Sequence, residues 1–176
     1  MKKLFITLVV SVMSFAGYGQ QQGLNRLTYT TTVGTGIALN KPGTTPFTWQ
    51  VMAHYNISAR FSAGAGTGLS FYEKMLIPLY GDFRYRIGRE RKLTPFVHAA
   101  AGYAFAPDRN ANGGYFQNIG FGFLYPIKNG MKLQFSFGYE LQEVERLKTH
   151  TDDYFDKEFA EELNHSSLSI KVGLRF

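Results

Sequence analysis

Read from residue 27 onward, the chain alternates. The last stretch is the cleanest: Leu168, Ile170, Val172, Leu174 and Phe176 fall on one side, and Ser167, Ser169, Lys171, Gly173 and Arg175 on the other. A period of two is the mark of a strand with two unlike faces. The same reading predicts seven earlier strands: Leu27–Leu39, Phe47–Tyr55, Arg60–Tyr72, Leu76–Ile87, Pro95–Ala106, Tyr115–Ile127 and Met131–Glu143. Each is close to the 9–11 residues that cross a bilayer at a tilt. Breakers separate them, such as Asn40-Lys41-Pro42-Gly43 and the hairpin signal Lys128-Asn129-Gly130. The pattern predicts an all-β, eight-stranded, antiparallel up-and-down barrel.

Alternation does not say which face is outside. A soluble barrel turns its apolar face inward and a membrane barrel turns it outward. The glycines discriminate. Gly34, Gly36, Gly64, Gly66, Gly68, Gly102, Gly120, Gly122, Gly138 and Gly173 share the polar face, and Gly81 alone lies on the apolar one. Glycine weakens a strand. In the narrow interior of eight strands it earns its place by making room for longer polar neighbours. The bulky Phe, Tyr, Leu and Ile of the other face would not fit there, so they are assigned to lipid. Two aromatic bands agree with this: Phe47, Trp49, Phe71, Tyr103, Phe105, Tyr115 and Tyr139 towards one rim, and Tyr29, Tyr55, Phe61, Tyr85, Tyr125 and Phe176 towards the other.

The amino-terminal stretch fits this destination. Met1-Lys2-Lys3 is basic, Leu4 to Phe15 is mostly apolar, and Ala16-Gly17-Tyr18-Gly19 carries small residues. This is the layout of a secretory signal peptide over residues 1–19, with Gln20 as the new amino terminus. The apolar run is too short to span a bilayer. Loss of Lys2 and Lys3 lowers the formal charge from +6 to +4. Residues 20–176 then form one barrel domain. An even strand count puts both of its ends on one side, expected to be the periplasm. The absence of cysteine excludes disulfides and thiolate zinc sites.

The ending S-I-K-V-G-L-R-F, with the strand count, resembles small bacterial outer-membrane β-barrels of the OmpA/OmpX type, porin-family barrel domains without a peptidoglycan-binding domain. The resemblance implies a place in the cell outer membrane, with outer-membrane lipid as surroundings. It also implies assembly by the barrel-insertion machinery after passage with periplasmic chaperones. Val172, Leu174 and Phe176 would serve as the terminal assembly signal.

Candidate chemistry is sparse. The polar face carries Arg60, Asp82, Arg84, Arg86, Lys132, Glu140, Lys171 and Arg175. Such a set reads either as an ion path or as a packed core of paired charges, and eight strands favour packing. Arg84 and Arg86 outnumber Asp82 locally, so Glu140, or a carboxylate from a loop, is expected to complete the network. Between Glu143 and Glu162 lie eight of the chain's thirteen acidic residues. Within this stretch, 144–165, Phe155, Phe159 and Leu163 recur every four residues behind Asp152, predicting a long outer loop with a short N-capped helix and a possible extracellular partner. Its Asp spacing does not follow an EF-hand, so no metal is assigned.

His165 and Ser167 have the two-residue spacing used by outer-membrane lipid A deacylases, yet parity turns both towards the lumen, away from lipid. The palmitoyltransferase barrels are similar in strand number alone. The Gly-x-Gly pairs precede no helix and are not dinucleotide fingerprints. The basic residues are spread over turns instead of being clustered for nucleic acid. No catalytic residue and no cofactor is assigned. The expected role is a non-enzymatic structural or adhesive one acting through the outer loops. The alternatives are a narrow passage for small solutes and a lipid-modifying enzyme.

Overall fold

The computed structural model describes residues 26–40, 45–72, 74–89, 91–107, 111–127, 130–152 and 155–176, with 111 and 145–163 described by their backbone alone. The expected signal peptide lies outside them. Eight antiparallel strands make up the wall: β1 Leu27–Ala38, β2 Phe47–Asn56, β3 Phe61–Phe71, β4 Met75–Arg86, β5 Thr94–Phe105, β6 Gly114–Pro126, β7 Lys132–Asp152 and β8 Phe155–Arg175. Each pairs with the next, and β8 also pairs with β1, from Thr30↔Arg175 to Ala38↔Ser167. The sheet is therefore a closed eight-stranded barrel, and closure leaves no unpaired edge within the wall.

The first six strands fall within a residue or so of the sequence boundaries. The apolar face is the outer one. Val33, Leu79, Phe83, Ile119, Phe121, Phe135, Phe137 and Ile170 are all exposed. Both aromatic bands are on the outside too. All of their members are exposed except Trp49, which is half-buried and donates its indole Nε1–H to Thr31 Oγ1 at 3.2 Å. No helix among the described residues is long and apolar enough to cross a membrane.

The last hairpin differs from the expectation. Residues 144–165 are not a loop with a helix. The β7–β8 ladder continues without a break from Lys132↔Arg175 to Asp152↔Phe155, well past the end of every other strand. Asp152 is the last residue of a strand, not a helix cap. The physical reason is nucleation. A lone twelve-residue helix is marginal in water, whereas two strands already in register extend by adding one ladder bond at a time. A two-residue segment, Ala111–Asn112, pairs with Arg146 and Glu145 at the base of this ribbon.

At the opposite end the β2–β3 and β6–β7 turns are short, whereas the β4–β5 turn runs over residues 87–93, and the β3–β4 link at the ribbon end is shorter than expected of an outer loop. Gly130, in the predicted hairpin, has φ near +80°, a conformation that favours glycine.

Candidate functional site

Among the described residues, oppositely charged side chains converge in the lumen. Two clusters form there, both placed by strand parity. In the first, Asp82 of β4 is buried. Its Oδ2 lies 2.6 Å from His54 Nε2 of β2 and accepts from Arg84 Nε at 2.7 Å. His98 Nδ1 of β5 lies 3.8 Å from Oδ1. Arg84 donates from Nη1 to Gln134 Oε1 at 2.7 Å and rests over the Phe96 ring, 5.5 Å from its centroid. In the second cluster, Glu140 of β7 is wholly buried. It accepts from Lys171 Nζ at 2.6 Å, Asn118 Nδ2 at 2.9 Å and Tyr72 Oη at 2.7 Å. Lys171 also donates to Gln50 Oε1 at 3.0 Å, which ties β8 back to β2.

Each buried carboxylate thus has a buried cation and further polar side chains around it. That is the condition under which ionic groups are tolerated away from water.

The eight charged residues of the predicted network do not form one set. Asp82 with Arg84 and Glu140 with Lys171 are two pairs. Glu140 serves Lys171, not Arg84 or Arg86; Gln134 takes the place expected of a carboxylate beside Arg84. Arg175 is buried near the terminal end, donating to Thr28 Oγ1 at 2.9 Å and Asn56 Oδ1 at 3.1 Å. Arg86 and Lys132 are half-buried at the same end. Arg60 is exposed in the β2–β3 turn, one residue before β3 begins, so it belongs to the rim and not to the lumen. Val172, Leu174 and Phe176 are exposed on the outer face of the closing strand.

Apolar side chains bracket the charges. Leu76, Ala104, Phe116 and Val144 are buried towards the loop end, and Phe96 and Leu124 towards the terminal end. Strand parity puts Leu124 and Ala104 on the inner face, with Tyr80 and Met52, but the sequence reading followed the polar residues of that face and did not single out the bracket. Tyr72, inward by parity at the end of the predicted third strand, lies one residue past β3 and donates to Glu140 across the mouth, a contact the sequence did not show. The signal was there in the register. Phe96 sits opposite Gly122, Phe116 opposite Gly102, and Tyr80 opposite Gly66. A Cβ on Gly66 would lie 2.6 Å from Tyr80 Cζ, and one on Gly122 would lie 2.6 Å from Phe96 Cζ. Large inward residues are matched to glycine across the ladder, which is how a narrow core is filled.

Between the two clusters lies a cavity of about 20 Å³, lined by Thr32, Gln50, Tyr80 and Asp82 among others. Thr32 Oγ1, Gln50 Nε2, Tyr80 Oη and Asp82 Oδ1 have no hydrogen-bond partner among the described residues. Its size and lining suit one water molecule. His165 and Ser167 are buried, the His165 ring 5.2 Å from that of Tyr72. Both therefore face the lumen and not lipid. No group of three or more candidate metal ligands occurs among the described residues.

No protein-family model and no curated protein matches this sequence. Solved structures do. The chain is similar to Neisserial surface protein A over 85% of its own length and 95% of that chain, at 14% identity and a TM-score of 0.56. It is similar to the outer membrane enzyme PagL over 82% and 97% of the two chains, at 11% identity and a TM-score of 0.52. The barrel domain of Pseudomonas aeruginosa OprF aligns more loosely, at 14% identity, over 85% and 97% of the chains, with a TM-score of 0.46. With β8 closed on β1 and its apolar side chains turned outward, this chain has the fold of the small eight-stranded outer-membrane β-barrel proteins.

Proposed function

We propose that the protein resides in the outer membrane and has a non-enzymatic structural or adhesive role exercised by the β7–β8 ribbon. The observation that carries this reading is the contrast between a filled lumen and a projecting hairpin. The charges inside are paired and bracketed by Leu76, Phe116, Phe96 and Leu124. Among the described residues, the cavity between the two clusters has room for one water, which is no path for a solute. The ribbon, by contrast, carries two strands beyond the barrel, a surface with no part in closing the wall.

A solute passage is the less favoured reading, since it requires Phe116 and Phe96 to leave their places opposite glycine. PagL is an outer membrane enzyme. Its likeness is one of fold, and the inward placement of His165 and Ser167 does not favour chemistry on membrane lipid. Assembly by the barrel-insertion machinery and periplasmic chaperones, with Val172, Leu174 and Phe176 read as the signal, belongs to the same proposal.

The test replaces Leu147 to Ala160 by Asn-Gly, which joins the register pair Arg146↔Glu161 through a two-residue turn. Cells carrying the shortened protein should keep a folded barrel and lose the surface-attachment or envelope-integrity phenotype of the intact one. Unchanged behaviour in both assays counts against the reading. A steady single-channel conductance from the purified barrel would favour passage instead. An altered lipid A acyl pattern in its presence would favour an enzyme.

A further inference from the structure

The two ends of the barrel differ in charge. The end at which β1 begins and β8 finishes is basic. Arg26, Arg60, Arg89, Arg91 and Lys92 are exposed there, and Arg86 and Lys132 are half-buried beside them. No Asp or Glu side chain accompanies them among the described residues of that rim, and the sequence places a single carboxylate, Glu90, in its turns. The other end is acidic, since eight of the chain's thirteen acidic residues fall between Glu143 and Glu162. Inside the wall, Asp82 with Arg84 and Glu140 with Lys171 cancel. Apart from Arg175, buried at the basic end, the asymmetry is therefore a property of the rims.

We propose that the basic rim binds the headgroups of anionic phospholipids in the leaflet that surrounds it. Three features choose this partner. The first is depth. Tyr29, Tyr55, Phe61, Tyr85 and Tyr125 are exposed on the outer wall at the same end. Such aromatic bands mark the level at which hydrocarbon gives way to headgroups. Arg60 immediately precedes Phe61, and Arg86 stands between Tyr85 and Ile87, so the cations sit just past that band.

The second feature is distribution. The cations come from the lead-in to β1, the β2–β3 turn, the β4–β5 turn and the start of β7, and so occur around the circumference. A belt of lipids would meet all of them, whereas a docked protein would meet one arc. The third is chemistry. Guanidinium groups bind phosphate through paired N–H donors, and Arg and Lys near a membrane surface attract anionic lipid. Long basic side chains can also lay their stems on apolar surface while the head stays at the interface.

The experiment uses the whole mature chain, released from mixed micelles that contain equal amounts of phosphatidylglycerol and phosphatidylcholine, with retained lipids counted by native mass spectrometry. The wild type should retain phosphatidylglycerol in preference by roughly fivefold at low salt, and the preference should shrink as salt is raised. In the R89Q/R91Q/K92Q variant it should fall to less than half. A second variant, R146Q/K148Q/K157Q, removes three cations from the ribbon at the opposite end and should keep the full preference. Heat-dependent mobility of each variant shows that the barrel is folded. Equal retention of the two lipids by the wild type overturns the proposal. So does an equal loss in both variants, which would reduce the effect to net charge. Co-sedimentation with purified peptidoglycan in the absence of any lipid preference would overturn it as well, and would make the rim a polymer-binding surface.

Discussion

β7 and β8 form one continuous ladder that crosses two environments, and the comparison of its lower and upper parts is instructive. Below Val144 the outward positions are Leu133, Phe135, Phe137 and Tyr139 against Leu174, Val172, Ile170 and Leu168. Inward positions are polar and closely packed, with Gln134, Ser136 and Glu140 all buried. Above Val144 the same register brings together Glu145↔Glu162, Arg146↔Glu161 and His150↔Lys157. Charged residues there occupy both parities of the strand, and the clean period of two is gone. The backbone bonding is common to both halves. The composition is not, because hydrocarbon on one side and a crowded core on the other constrain the lower half and neither constrains the upper.

The comparison is broken most severely inside the lower half. Lys171→Met removes the cation that faces Glu140 at 2.6 Å and leaves a wholly buried carboxylate with neutral donors only. The expected loss is about 3–5 kcal/mol, read as a shift in the urea unfolding curve of the reconstituted barrel. Replacing Glu140 by Leu in the same chain should restore much of it, since removing both charges is far cheaper than stranding one. If the double variant is as unstable as the single one, the pair is not what holds this layer together. Next in size is the outer face. Phe135→Arg places a charge against lipid, and if Phe135 sits at mid-bilayer the cost is about 2–4 kcal/mol. Ser136→Ala, one residue on and buried in the lumen, should cost clearly less in the same assay. Gln134 is a poor control for this purpose, because its Oε1 accepts from buried Arg84. Equal effects at 135 and 136 would undo the assignment of faces.

Most of the lower half was legible from the sequence because lipid imposes a strict alternation. Closure, strand number, the outward Phe and Tyr and the inward Gly all follow from it. The interior was less legible. Parity placed Tyr80, Leu124 and Met52 on the inner face, but it did not show that Phe96 and Phe116 join them to bracket the charges. That depends on which residue lies opposite which glycine, and hence on register. Register also decides that Glu140 meets Lys171 and not Arg84. Parity also placed Tyr72 on the inner face at the end of the third strand, but did not show its reach across the mouth to Glu140. The ribbon was misread for a different reason. Phe155, Phe159 and Leu163 share a helical spacing, but residues four apart also share one face of a strand. In a stretch held to neither lipid nor core, the spacing alone cannot separate the two.

Two smaller effects sharpen the contrast. Gly66→Val would push a side chain into the Tyr80 ring and towards Met52 Cγ, 2.7 Å from an added Cβ. Overpacking of this kind costs about 1–3 kcal/mol. A second change, Tyr80→Ala, should make the valine less harmful than it is alone. A double-mutant cycle on unfolding free energies measures that coupling, and simple additivity would mean that the ring and the glycine are not matched.

The smallest effect is expected from the largest change. Replacing Leu147–Ala160 by Asn-Gly removes most of the ribbon, yet every pair from Lys132↔Arg175 to Arg146↔Glu161 survives. The joined hairpin still closes on a turn suited to it. None of the paired charges, the bracketing apolar residues or the β8–β1 seam lies in the deleted stretch. Unfolding should therefore shift by no more than about 0.5 kcal/mol, the range of substitutions remote from core contacts. A loss above about 2 kcal/mol would mean that the ribbon folds back on the barrel mouth and belongs to its core. The difference between the halves would then be one of sequence only, and no longer one of role.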